Sequence, residues 1–433
     1  MQQRRCCTFA GCLVILAGIG AIARTQPVSP DRPLALVGGT VYLSPTEQPI
    51  SNGVVLIESG KIAAVGNRSS VRLPREIQTV DCRGLTIAAG FWNSHVHFLQ
   101  RKWADAEKVP AADLGRQLQS MLTQFGFTSV FDTWSMWENT RRLRDRIESG
   151  EIAGPRIRST GEAVFPKSPA VAQGSTQMAT QAAAWGALGF IPLDKLQNPR
   201  VSDSAEAHDA VTKLLDSGVD GIKLYAVTIG RNGIPLPDQA ITSLVTEAHK
   251  RGKIAFAHPT TTAGLMASLR AGVDVLAHTT PQSGPWDDTV VAAMKQAGVA
   301  LIPTLALWKY ELRHEQVSIG EGFSTTAIGQ LRKWAGTGGV VLFGTDVGYM
   351  TEYDPAAEYA LMFEAGMTFS QILASLTTAP AERFGVSKEL GRIAPGFIAD
   401  LTIVRGDPSK DIRALTDVQF TLRDGRIIYR RSR

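Results

Sequence analysis

From about Leu34 to Ile87 the apolar positions come in short runs broken by turn residues, LALVGGTVYL, GVVLIESGKIAAVG and TVDCRGLTI, a pattern of β-strands. The same texture returns near the C-terminus in ADLTIVRGD, VQFTLRDG and RIIYR. Each set is too short to bury a face alone, so the two ends are expected to join in one small β-sandwich over 33–88 plus 392–433. The stretch between, 89–391, alternates instead. Runs rich in β-branched and aromatic residues, FWNSHVHF, GFTSVFDT, RIRSTGEAV, VDGIKLYAV, KIAFAHP, VDVLAHTT, VALIPTL and VVLFGTD, read as strands. Amphipathic helix-length segments such as LGRQLQSMLTQFG, EAHDAVTKLLDSG and TVVAAMKQAG lie between them, each closing on a glycine as a helix C-terminus favours. Eight strand-then-helix units predict an α/β fold, a parallel (β/α)8 TIM barrel, ahead of an open doubly wound sheet.

Composition adds a leader and removes some partners. Arg4 and Arg5 precede the apolar stretch GCLVILAGIGAIA, and Ala21-Ile22-Ala23 offers small residues for cleavage, so 1–23 reads as a secretory signal and the mature chain as secreted or periplasmic. The apolar stretch falls short of the ~20 residues that span a bilayer, so no stable membrane span is expected after cleavage. Of the 4 cysteines only Cys82 would then remain, which excludes an intrachain disulfide. The formal charge is +5, two units of it from Arg4 and Arg5, and the other cations are interspersed with acids. That is no nucleic-acid footprint. A homo-oligomer is compatible with the sequence.

The chemistry-bearing residues follow the strands. His95 and His97 are two apart in GFWNSHVHF, so on a strand they share one face. Lys223 lies in GIKLY, His258 ends AFAHP, His278 lies in LAHTT and Asp346 closes FGTD. A strand-end Asp can merely cap a helix, and a Lys can extend its amine to water. Together, however, these residues collect at the C-terminal strand ends where barrels keep their active sites. His208, His249 and His314 lie in polar, helix-like or loop contexts. Four imidazoles, a carboxylate and a lysine suit two divalent ions, zinc first, with manganese or cobalt as substitutes. An ammonium is no ligand, but cations beside it lower its pKa, and the neutral amine can add carbon dioxide. The expectation is therefore an N6-carboxylated Lys223 linking one metal on His95, His97 and Asp346 to a second on His258 and His278, the ions ~3.5–4 Å apart and sharing a hydroxide. Asp346 would act as general base and then acid. Tyr225, two residues beyond Lys223, would donate to an oxyanion or a substrate carboxylate, or else simply pack.

These residues together resemble the amidohydrolase superfamily, most closely its branch of imidazolonepropionase-like proteins and Xaa-Pro-type metallodipeptidases. The resemblance runs from GGTVYL through GFWNSHVHF, GIKLY, AFAHP, LAHTT, FGTDVG and LTTAPAERFGV to GRIAPGFIADLTIVRGDPSKDI. It implies the same barrel with a β-sandwich built from both termini, His95, His97, Lys223, His258 and His278 as ligands, and Asp346 as the catalytic aspartate. Two positions depart from the pattern. Asn93 stands where an Asp is usual, and Pro259-Thr260-Thr261 follow His258 where single-metal deaminases carry a Glu. With Lys223 present and that Glu absent, the resemblance implies two-metal hydrolysis of a C–N amide bond in a dipeptide, an N-acyl amino acid or a similar small amide. Alternatives are a cyclic amide, ester or lactone at the same site, and a non-catalytic metal-binding barrel. The segment 161–203, with Trp185 and Phe190, is expected to form a lid or pocket wall, or equally to include an extra helix that only packs. Arg231, Trp308, Lys309 and Tyr310 are candidates for lining the pocket, a basic group pairing with a substrate carboxylate.

Overall fold

The computed structural model describes residues 33–167, 186–187, 189–192, 195–227, 235–314 and 322–432. The expected signal segment, Trp185 and Arg231 lie outside them. Strands β1 (Leu34–Val41), β2 (Ile50–Glu58), β3 (Lys61–Asn67), β4 (Gln78–Asp81) and β5 (Leu85–Ala89) share one eight-stranded sheet with C-terminal strands β15 (Leu401–Arg405), β16 (Val418–Arg423) and β17 (Arg426–Arg430). The two termini meet where β15 runs antiparallel to β5, Leu401 opposite Ala89 and Arg405 opposite Leu85. In β2 the unbroken run Val54 to Ile57 is buried throughout. Successive side chains point to opposite faces, so both faces of the sheet are covered. Val55 and Ile57 pack with Leu36, Ile87 and Ile403, while Val54 and Leu56 pack with Val71.

The barrel wall is β6 (Phe91–Val96), β7 (Phe127–Asp132), β8 (Arg156–Ser159), β11 (Gly221–Ala226), β12 (Ile254–Pro259), β13 (Val275–Ala277), β14 (Ala300–Ile302) and the segment 341–347. The pair β9 (Phe165–Pro166) and β10 (Arg200–Val201) lies outside this ring. Neighbours in the wall are parallel. Three joints close the ring without regular ladders. Val164 accepts from Tyr225 N at 2.9 Å and donates to Lys223 O at 2.8 Å, and 341–347 pairs through Leu342 N to Leu301 O and Ser94 N to Phe343 O. The sequence run VVLFGTD thus supplies the eighth wall element as an irregular strand. Gly344 shows why: a Cβ there would sit 2.4 Å from Ile302 Cγ2 and 2.8 Å from His95 Cβ, so the backbone approaches where no side chain fits.

Helices α1 (Ala111–Met121), α2 (Trp137–Glu148), α3 (Ser204–Asp216), α4 (Asp238–Lys250), α5 (Thr262–Arg270), α6 (Asp288–Ala297), α7 (Leu305–Arg313), α8 (Phe323–Gly336), α9 (Ala356–Glu364), α10 (Phe369–Leu376) and α11 (Thr378–Arg383) complete the described chain. None is long and apolar enough to cross a membrane. The run VALIPTL stops as a strand at Ile302, and its last residue, Leu305, opens α7. Trp92, Phe131 and Phe256 from the wall strands meet Phe384, with ring centroids 4.9 to 6.2 Å from it.

Candidate active site

Period-two alternation on β6 sends His95 and, one residue past the strand end, His97 to one point: their Nε2 atoms are 3.2 Å apart. Asp346 Oδ1 lies 2.7 Å from His97 Nε2 and 3.5 Å from His95 Nε2, and its Oδ2 lies 3.8 Å from His278 Nε2. All four side chains are buried. The donor atoms of His95, His97 and Asp346 fall within 4.8 Å of one another, a fit to one cation. Their orientation is fixed from behind. His97 Nδ1 is 2.9 Å from the Trp134 carbonyl, which only accepts, so Nδ1 carries the proton and Nε2 turns its lone pair inward. His278 Nδ1 makes a 2.5 Å hydrogen bond with Thr304 Oγ1.

Burial, with Lys223 as the next contributor, holds His95 and His258 well below the usual histidine range; burial and then His258 do the same for His278. Neutral imidazoles are the form that binds metal. Lys223, on β11, is fully buried and its Nζ has no hydrogen-bond partner among the described residues. Burial pushes its pKa down to about 7, against an upward pull from Asp346. An orphaned amine of low pKa beside histidines is a fit to a carbamate ligand, not to a structural salt bridge. His258 stands opposite Tyr225 on the neighbouring strand, their rings stacked at 4.5 Å, and 4.5 Å from the His278 ring. Tyr225 is also stacked on Phe165 at 4.2 Å and lines the cavity, so it packs and faces the site at once.

Three non-glycine residues at this mouth have left-handed backbones: His278 (φ 77°), Thr304 (φ 44°) and Asp346 (φ 64°). Such strain persists where the surroundings hold it and gathers at functional sites. For Thr304 the holder is Glu358 on α9, fully buried, which accepts from Leu305 N at 2.9 Å and Ala306 N at 2.7 Å and so caps α7 in place of a local residue. Glu358→Ala should lower stability by about 2 kcal/mol, since two buried N–H groups lose their acceptor. Urea unfolding reads this, and an unchanged midpoint refutes the cap.

Asn93 is fully buried and stitches β6 to the Asp346 segment: Nδ2 donates to Thr345 Oγ1 at 2.7 Å, while Oδ1 accepts from Thr345 N at 3.2 Å and His95 N at 3.3 Å. A carboxylate there would lack the first donor. The two strands that carry the first histidines and the aspartate are thus locked to each other by an amide.

Above these residues opens a cavity of about 330 Å³, walled by Trp134, Leu307, Trp308, Glu311, Phe323 and Tyr349. Of Trp308, Lys309 and Tyr310, the expected lining residues of α7, only Trp308 is there. Lys309 is exposed, and Tyr310 is buried with its hydroxyl 3.3 Å from Thr351 Oγ1, because the helical turn of α7 sends successive side chains in different directions. Phe190 is buried with its ring 6.1 Å from that of Tyr349. Sequence reasoning missed Glu311, Tyr349, Thr304 and Glu358. A signal existed for Glu311, since positions 307, 308 and 311 share one face of a helix.

The profile of the amidohydrolase family matches residues 86–429, the whole barrel and the C-terminal strands. The chain belongs to that family. As an amidohydrolase it is a hydrolase of carbon–nitrogen bonds, and the family generally binds divalent metals. The chain is 23% identical to an ochratoxinase of Aspergillus niger over 414 residues, covering 86% of this chain and 81% of that one. It is 24% identical to a dihydroorotase of Anaeromyxobacter sp. (strain K) over 420 residues, 86% and 88% of the two chains. Among solved structures, a Xaa-Pro dipeptidase with methionine bound in its active site superposes with a TM-score of 0.75 at 21% identity, covering 92% of this amidohydrolase and 100% of that chain. The A. niger ochratoxinase superposes with a TM-score of 0.72 at 20% identity, 92% and 95% covered. These likenesses establish the fold: a TIM barrel with a β-sandwich from both termini.

Proposed function

We propose that this amidohydrolase is a secreted or periplasmic enzyme that cleaves the C–N amide bond of a small substrate, a dipeptide, an N-acyl amino acid or a related amide. Two divalent ions, zinc first, would be held by His95, His97 and Asp346 and by His258 and His278, with N6-carboxylated Lys223 between them. The observation that carries this reading is Lys223, a buried amine without a hydrogen-bond partner set among neutral imidazoles. When bound, such ions lower the pKa of water and polarise a carbonyl. Asp346 takes the proton of the attacking water as the new C–O bond forms, and then returns it to the amide nitrogen so that the C–N bond breaks and the amine departs. Tyr225, its ring held between Phe165 and His258, supplies a hydroxyl for the carbonyl oxygen as it gains charge. Secretion rests on the leader pattern of residues 1–23.

The test is a panel of dipeptides and N-acyl amino acids, varied at the C-terminal residue and offered to the zinc-loaded mature protein with amine release as readout. Cleavage ordered by that residue is expected, and a strong chelator should abolish it. No cleavage with two ions measured per chain transfers the reading to cyclic amides, the second reading favoured by the dihydroorotase likeness.

A further inference from the structure

The cavity over the candidate metal ligands has a largely aromatic and apolar wall, with Thr260 and Gln282 as neutral polar members and one carboxylate, Glu311, besides Asp346. Glu311 is only 4% exposed, yet it lines the cavity between Trp308 and Tyr349. Helix α7 brings it there on the same face as Leu307 and Trp308. Its Oε1 accepts from the Tyr349 hydroxyl at 2.8 Å, and its Oε2 has no hydrogen-bond or ion-pair partner among the described residues. The nearby imidazole of His314 is turned to the Tyr310 carbonyl through Nδ1. No lysine or arginine among the described residues lines the cavity. The two cations of α7 face elsewhere, Lys309 exposed and Arg313 paired with Glu352 at 2.7 Å.

A carboxylate withdrawn from water without a cation is costly, and burial pushes its pKa up. A ligand that brings the missing cation offsets that cost, and the rings of Trp308 and Phe323, packed edge to face at 5.3 Å, suit a cation in a largely apolar room. We propose that Glu311, with Tyr349 orienting it, is a subsite for a protonated side-chain amine or guanidinium on the substrate. Lys309, one basic residue expected to pair with a substrate carboxylate here, is exposed, and the other, Arg231, lies outside the described residues. The subsite rests on the hydrolase reading above for the bond that is cut, but is a binding property of its own.

The test pairs each dipeptide that has a cationic side chain with a counterpart whose side chain is neutral and whose α-amine is unchanged, placing the side-chain charge on either side of the scissile bond: Ala-Lys against Ala-norleucine, and Lys-Ala against norleucine-Ala. In at least one pair the metal-loaded enzyme should favour the cationic member by about tenfold or more in kcat/KM, the effect of one charge-assisted hydrogen bond. Glu311→Gln should collapse that ratio, and Glu311→Asp, which keeps the charge, should retain part of it. Calorimetry with lysine amide and norleucine amide supplies a readout independent of turnover. If no dipeptide is cut but lysine amide binds in a Glu311-dependent way, the subsite stands and amide hydrolysis falls. Neutral members equal or preferred in both pairs overturn the subsite, as does a Glu311→Gln variant that slows both members alike.

Discussion

Asp346→Asn is expected to lower kcat for amide cleavage by about 10³-fold, within the range that a general acid–base group supplies, while leaving the chain folded. The substitution is nearly isosteric and conformationally mild. Asp346 has φ 64°, and asparagine is among the few residues that accept the left-handed region readily. The new amide also suits the position in the absence of metal, because its N–H can face His97 Nε2, now 2.7 Å from Oδ1. What disappears is the negative charge and the basic oxygen. The attacking water then has no proton acceptor at that place, and the departing nitrogen no donor. Amine release measured together with metal content separates the two contributions. A variant that keeps its ions yet turns over slowly identifies the proton-transfer role, and one that keeps more than about a tenth of wild-type kcat removes Asp346 from the mechanism.

The division between what was legible in the sequence and what was not follows the physics of each element. His95, His97, His258 and His278 were legible because strand periodicity and the strand-end rule act over a few residues at a time. Asp346 was legible for the same reason, although its strand forms through isolated pairings and a close approach at Gly344 rather than a regular ladder. The second layer was not. Thr304 reaches His278, 26 residues earlier, and is held by Glu358 through the start of α7, a relation that local pattern does not encode. Glu311 and Tyr349 meet across 38 residues. A helical repeat shows that 307, 308 and 311 share a face but not whether that face looks into the barrel mouth or to solvent. Asn93 reads in the sequence as a departure from a family pattern; its amide bonds to Thr345 become visible only when β6 and 341–347 lie side by side.

Lys223→Met should abolish metal retention and turnover and at the same time make the metal-free protein more stable. Methionine keeps most of the volume and cannot form a carbamate. The stability gain follows from linkage. The folded-state pKa of Lys223 is about 7, against an ordinary 10.5, so between these values the folded chain binds fewer protons than the unfolded one. Stability of the metal-free wild type therefore rises with pH from 7 to 10.5, and below pH 7 the full cost of a buried ammonium remains, on the order of 5 kcal/mol before relaxation and water entry reduce it. Metal-free Lys223→Met should show none of this slope and should exceed wild type by a few kcal/mol at pH 6, read by urea unfolding after chelation. A parallel pH dependence in both proteins refutes the buried, uncompensated amine. An amine that costs the fold this much, in a position where an apolar residue would fit the strand and the core, is kept for what it can bind. The same logic sets Lys223 apart from Asn93 and Glu358, whose buried polar groups are satisfied within the protein and hold the fold together. Lys223 Nζ has no such partner among the described residues, and the difference in sign between the stability effects expected for Glu358→Ala and Lys223→Met is the measurable form of that distinction.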